Sequence, residues 1–186
     1  MSEIVGGRVK LRLRGFSRSL PYSLLRAREA VMNRFRPALR LFNITEQQWR
    51  VLRVLSSVEA MEVTALAEAT CLLAPSLSRI LNDMEERGLV QRSAVPEDLR
   101  RTLVSITPKG WTLIDAVMPY SDGIYAEIRS VVGDDRIEEI QTQLRYLVEQ
   151  LEKLPPIVYD EDELSPEISQ LSSGQQRGRP KNPSGD

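Results

Sequence analysis

The chain has 186 residues, a formal net charge of −1, one cysteine and no histidine; its length favours one domain with appendages and a substantial core. The missing histidine removes the commonest general base and metal ligand, and a single thiol allows no internal disulfide framework. With no phosphate-loop glycine pattern and no apolar run near the roughly 18 residues that span a bilayer, the reading is a reduced, cytoplasmic protein without cofactor, metal, membrane or catalytic machinery.

The near-neutral total conceals an uneven distribution. Residues 1–42 carry ten Lys/Arg against two Asp/Glu, residues 43–154 twelve against eighteen, and residues 155–186 three against six. Local patches therefore say more about anionic partners than the overall charge does.

Residues 1–19, with RVKLRLRGFSRS, form a basic N-terminal arm. It reads either as a solvated extension or as a short strand touching DNA phosphates. From Leu20 to Phe42 the helical period takes over, with Leu24, Val31, Phe35 and Phe42 on one stripe and Leu20, Ala38 and Leu39 at its margins. Asn43 breaks the pattern, and TEQQ at 45–48 reads as a capping box that opens a second helix with Leu52, Leu55 and Val58 inside. VTALAEAT at 63–70 is a two-turn helix.

APSLSRILNDMEERG at 74–88 is the best-defined helix, with Pro75 in its first turn and Gly88 as its stop. Leu77, Ile80, Leu81 and Met84 make its buried stripe. Pro75, Arg79, Asn82 and Glu86 lie opposite, flanked by Ser76 and Ser78. Two short strands follow, near Val90–Ala94 and Thr102–Ile106, joined by PEDLRR. Thr107-Pro108 starts a long helix with Leu113, Val117, Tyr120, Ile124, Ile128 and Val131 inward and a kink at Pro119. Gly133 closes it, and Asp135 with Glu138 caps the next. Ile137, Ile140, Leu144, Leu147, Leu151 and Leu154 then step as a heptad seam, either intramolecular or between copies. Residues 155–186 read as a disordered acidic tail.

This order gives a mainly α fold: a winged helix-turn-helix with a two-stranded β wing and helical dimerisation region, residues 20–154. In such a fold the 74–88 helix enters a major groove of double-stranded DNA. Ser76 and Ser78 suit phosphates, while Arg79 and Asn82 suit base edges. In the hairpin, Asp98 is placed to brace Arg100 for the narrow minor groove, and Arg101 to reach a flanking phosphate.

Asp98-Leu99-Arg100, Ile106-Thr107 and Gly110 resemble the D-x-R…L-T-x-x-G wing signature of the MarR transcriptional regulators. LLRAREAVMNRFRP, TEQQWRVLR and CLLAPSLSRILNDMEERGLV are similar to one branch of that family, the repressors of homoprotocatechuate (hydroxyphenylacetate) degradation operons. The resemblance spans about residues 20–154. It implies a homodimer built from the first and last two long helices, recognition helices in successive major grooves of a pseudo-palindrome, and release by a small aromatic acid.

Within that frame Arg28 stands between Leu24, Val31 and Phe35, where a charge needs a partner. Either it pairs with Glu149 or Glu152 across the dimer, or it forks onto the carboxylate of an aromatic acid, with Met32, Phe35 and Trp49 around the ring. Leu24, Ile140, Leu144, Leu147 and Leu151 are the dimerisation candidates. Trp49 and Trp111 read as core, with the pocket wall as the alternative for Trp49; Cys71 in its apolar run reads as core too, and its alternative is a thiol sensor beside the recognition helix. RGRP at 177–180 resembles the core of a minor-groove AT-hook, a match short enough to arise by chance.

Overall fold

The structure, a computed structural model, describes residues 4–5, 8–9, 19–95 and 98–157, with side chains over 19–94 and 101–157. The first described backbone is a short antiparallel pair, β1 (Ile4–Val5) with β2 (Arg8–Val9). Most of the basic arm, residues 158–186 of the tail and the RGRP motif lie outside the described residues.

Helix α1 (Leu20–Leu41) has a proline in its first turn and ends where Asn43 takes a φ of 51°, a left-handed conformation that Asn tolerates better than most residues. Helix α2 (Glu46–Leu55) opens on the expected capping box. The Gln48 backbone N–H donates to Thr45 Oγ1 at 3.2 Å, and Thr45 N–H donates to Gln48 Oε1 at 2.8 Å. Strand β3 (Met61–Glu62) leads directly into α3 (Val63–Thr70), and α4 (Ala74–Glu86) follows after a three-residue turn. Gly88, at φ 69°, lets the chain reverse into β4 (Val90–Val95); only glycine visits this region without strain. Strand β5 (Asp98–Ile106) returns antiparallel, with Val90 opposite Ile106 and Ala94 opposite Thr102. Thr107 caps α5 (Pro108–Val132), its hydroxyl accepting from Gly110 N–H at 3.1 Å.

The sheet has three strands, in the order β3-β5-β4. The expected two-stranded wing is β4–β5; β3 joins β5 through Met61–Val104 and Glu62–Leu103. Two residues are too few to show an alternating pattern in sequence.

One apolar core joins α1, α2, α3, α4, the wing and the first half of α5. Leu52, Leu66, Leu77, Leu81, Met84 and Val104 are wholly buried in it. Several inward assignments need correction. On α1, Phe35 and Leu39 are buried while Leu24 and Val31 remain exposed, because the core receives only the later turns of that helix. On α5, Ile114 and Val117 are buried and Tyr120 and Val131 are not, for the corresponding reason: its first turns do the packing. Val58 lies beyond the end of α2 and is exposed, as is Trp111 on the outer side of α5. Cys71 is exposed too, at the end of α3 with φ 51°. Helix α5 runs through Pro119 without interruption.

A second unit begins at Asp135; its described residues, 135–157, lie mostly in α6 (Asp134–Glu152). That helix begins one residue before Asp135, which therefore lies in its first turn instead of capping it. None of its residues is buried, and Ile140, Leu144 and Leu151 are exposed along the heptad seam.

Candidate functional site

Two places carry function-bearing side chains: the outer side of α4 with the wing, and a pocket between α1, α2 and α5. On α4, burial of Leu77, Leu81 and Met84 leaves Ser76, Ser78, Arg79 and Asn82 facing outward and exposed. The two serines stand in the first turns, where free backbone N–H groups and the positive end of the helix dipole favour a phosphate. Arg79 forms no hydrogen bond or ion pair among the described residues.

Beside α4, Arg92 of β4 ties the wing to the helix. Its Nη1 donates to Asn82 Oδ1 at 2.7 Å and to Glu85 Oε2 at 3.1 Å. Its backbone N–H donates to the other oxygen of Glu85 at 3.1 Å. The wing is braced again at its base: Thr107 Oγ1 donates to the Gly88 carbonyl at 2.6 Å, and Lys109 Nζ to the Arg87 carbonyl at 2.6 Å. Arg101 is ion-paired with Glu62 across the sheet. The Arg101 hydrogen bond holds the Glu62 carboxyl below its ordinary range, against a smaller opposing effect of burial.

The pocket has a volume of about 260 Å³. Met32 and Phe35 of α1, Trp49 of α2 and Tyr125 of α5 supply its apolar and aromatic walls. Phe35 and Tyr125 meet edge to face, ring centroids 5.2 Å apart. Its polar groups are Glu46, Arg50, Arg53 and Ser121. Arg50 Nη1 donates to the Thr70 carbonyl at 2.8 Å, which anchors it to the end of α3. Among the described residues Arg53 Nη1 reaches only the Met118 thioether, at 3.5 Å, and a thioether is a weak acceptor. Ser121 is 7% exposed and makes no hydrogen bond among the described residues.

Glu46 is held from the other side by α1. Arg28 Nη2 donates to Glu46 Oε2 at 2.6 Å and Arg28 Nη1 to Glu29 Oε1 at 2.7 Å. Arg36 closes the ring, bonding both carboxylates. Burial pushes the Glu46 carboxyl upward, but the hydrogen bonds from Arg36 and Arg28 together outweigh it and hold the group below the usual carboxylate range.

Comparison with known proteins is decisive about the family. The MarR family profile matches residues 44–102. The homoprotocatechuate degradative operon repressor of Escherichia coli is 37% identical over 132 residues, 71% of this chain and 86% of that one. The chain belongs to the MarR family. It is a transcriptional regulator, not an enzyme. Another relative, the HTH-type transcriptional regulator FarR of Neisseria gonorrhoeae, is 38% identical over 119 residues, 64% of this chain and 82% of that one. Among solved structures, NadR in complex with 4-hydroxyphenylacetate aligns with a TM-score of 0.64 and 34% identity, covering 78% of this chain and all of that one.

Against that MarR frame, the four α4 residues read from sequence are brought together on one exposed side. Asp98 and Arg100 keep their backbone in β5, but their side chains lie outside the described residues, so the expected brace does too. Arg101 is engaged by Glu62, which competes with a phosphate for it. Met32, Phe35 and Trp49 converge on one pocket as expected. Arg28 does not line it. That residue is on the exposed part of α1, with its partners on α1 and α2, so neither the buried stripe nor a cross-dimer carboxylate is needed to account for it. Sequence reading missed Arg50, Arg53, Ser121 and Tyr125. One signal was available: Trp49–Arg53 and Ser121–Tyr125 are each four apart, on one side of a helix.

Proposed function

We propose that this MarR-family regulator is a repressor of an aromatic-acid catabolic operon, and that a small aromatic carboxylate entering the α1–α2–α5 pocket releases it from its operator. The observation that carries this reading is Arg53: a guanidinium bonded, among the described residues, only to a thioether at 3.5 Å, beside the indole of Trp49 and the paired rings of Phe35 and Tyr125. A flat ring fits between such walls, and a carboxylate offers the guanidinium the planar acceptor that Met118 does not. The Ser121 hydroxyl, which lines the pocket with no hydrogen bond among the described residues, suits a polar ring substituent. NadR, similar over all of its length, binds 4-hydroxyphenylacetate, and the Escherichia coli relative governs homoprotocatechuate degradation.

Operator binding is assigned to Ser76, Ser78, Arg79 and Asn82 in the major groove and to Arg100 at the wing tip. Two protomers joined through Leu24, Ile140, Leu144, Leu147 and Leu151 would present two such helices to a pseudo-palindrome. The uncovered apolar side chains of α1 and α6 support that joining.

Titration of 4-hydroxyphenylacetate into the protein, with operator release followed by a gel-shift assay, tests the reading. Micromolar to millimolar binding that frees DNA is expected. No binding by any small aromatic carboxylate would defeat it. A second reading, redox control through Cys71, draws on the exposure of that thiol beside the turn into α4. It requires peroxide to abolish DNA binding in wild type and not in Cys71→Ser.

A further inference from the structure

We propose that Arg92 is a positioning residue that sets base specificity: it fixes the amide of Asn82 so that α4 offers the DNA a hydrogen-bond donor, and not an acceptor, at that position. The inference rests on the reading that α4 enters a major groove.

Arg92 is gripped from several sides. Its Nη1 contacts Asn82 Oδ1 at 2.7 Å and Glu85 Oε2 at 3.1 Å, and its Nη2 the Ser78 carbonyl at 3.4 Å. The ion pair with Glu85 keeps the guanidinium from following Asn82 if the amide turns. A guanidinium has donors and no acceptor. The atom of Asn82 that faces it is therefore the oxygen, and the NH₂ must point the other way. Asn82 is exposed on the same side of α4 as Arg79, so that NH₂ faces outward from the helix.

An unheld asparagine rotates its amide freely and offers either a donor or an acceptor. A held one has lost that choice. In the major groove guanine, adenine and thymine each present at least one acceptor, whereas cytosine presents only its N4 amino donor. The outward NH₂ of Asn82 can bond any of the first three and opposes cytosine, donor against donor. Arg92 itself need not touch the base.

The guanidinium can be removed without undocking the wing. The backbone N–H of residue 92 still reaches Glu85 Oε1 at 3.1 Å, and the β4–β5 ladder does not depend on the side chain. The test is affinity selection of a randomised duplex library by the full-length protein, with Asn82→Ala, Arg79→Ala, Arg92→Met and Arg92→Lys beside wild type. Wild type should disfavour cytosine at one position per half-site by about tenfold, the scale of one base contact. Arg92→Met should reduce that bias to less than about threefold while melting temperature and binding to random DNA stay near wild type. Arg92→Lys, which still donates to the amide oxygen, should keep most of it, as a merely structural role would not predict. If Arg92→Met does not fold, Arg92→Gln replaces it, since glutamine can donate or accept and should also lose the bias.

Two results would overturn the proposal. Loss of the bias in Asn82→Ala but not in Arg92→Met would leave Asn82 as the reader with no role for Arg92. No change at any position in Asn82→Ala would mean that Asn82 meets no base. Failure of the underlying reading looks different: there Arg79→Ala would also leave every position unchanged.

Discussion

Glu46 closes an ion-pair ring with Arg28, Glu29 and Arg36, and the same carboxylate forms a wall of the pocket. Burial raises its pKa, the arginine hydrogen bonds together lower it by more, and the folded value ends below the unfolded one near 4.5. Its contribution to stability is therefore fully present above about pH 4.5 and is lost as pH falls through the folded value. Melting temperature should drop on acidification through that window. Glu46→Gln should melt lower than wild type at neutral pH and lose less on acidification, as followed by circular dichroism. Four arginines lie near this corner, and the geometry ranks them: Arg28 and Arg36 are paired, Arg50 is tied to a carbonyl, and Arg53 bonds only a thioether among the described residues. Arg53→Ala should weaken aromatic-acid binding by about 1.5–3 kcal/mol, the range for a charged hydrogen bond, while Arg28→Ala changes it little. Calorimetric titration of the two variants checks this, and equal losses would return Arg28 to the site. Sequence favoured Arg28 because the α1 wheel, taken alone, sets it among Leu24, Val31 and Phe35. Which turns of that wheel meet the core depends on α2 and α5, and no single-helix pattern contains that information.

The helices were legible because their ends are chemical. Thr45 with Gln48, Thr107 before Pro108 and the stop at Gly88 each satisfy or terminate backbone hydrogen bonds by a local rule, and each stands where sequence placed it. Strand β3 has no such end signal and is defined only by its partner β5. The wing's last signature position has a physical cause as well. A Cβ at Gly110 would stand 2.1 Å from the Leu89 carbonyl oxygen and 2.7 Å from Ile106 Cγ2. The first obstacle is backbone and cannot swing aside, so the glycine lets α5 start directly against the base of the wing. Gly110→Ala should destabilise by about 1–3 kcal/mol, as overpacking does, with operator affinity falling in parallel. A variant that melts like wild type would show that α5 can shift outward there. The pocket was harder to foresee, since its third side comes from α5, which is distant in sequence from α1 and α2.

At the scale of the whole molecule, charge and apolar surface divide the labour. The excess of positive charge in the first 42 residues and the exposed face of α4 predict operator binding that falls steeply with salt, because each neutralised phosphate releases counterions. A flat log–log salt plot would argue against phosphate contacts. Ile140, Leu144 and Leu151 on α6 and Leu24 on α1 expose apolar side chains, surface of the kind that marks an interface. Size-exclusion chromatography should give a dimer, and deletion of residues 157–186 should leave both dimer and melting temperature unchanged. Monomerisation on deletion would assign the tail a docking role.

The three-stranded sheet has a consequence for how a signal can leave the pocket. Strand β3 runs straight into α3 and is hydrogen-bonded to the wing, Glu62 is clasped by Arg101, and the wing is clasped to α4. Helix α4, strand β3 and the described part of the wing are thus clasped into one piece in each protomer. A stiff reader keeps its preferred sequence, so an effector could change only the distance between two readers, and its message would be a length. The receiver of that message is the operator's own spacing, about 3.4 Å per base pair along the duplex. An operator lengthened by one base pair between its half-sites should therefore imitate the effector: held weakly from the start, and nearly deaf to the acid.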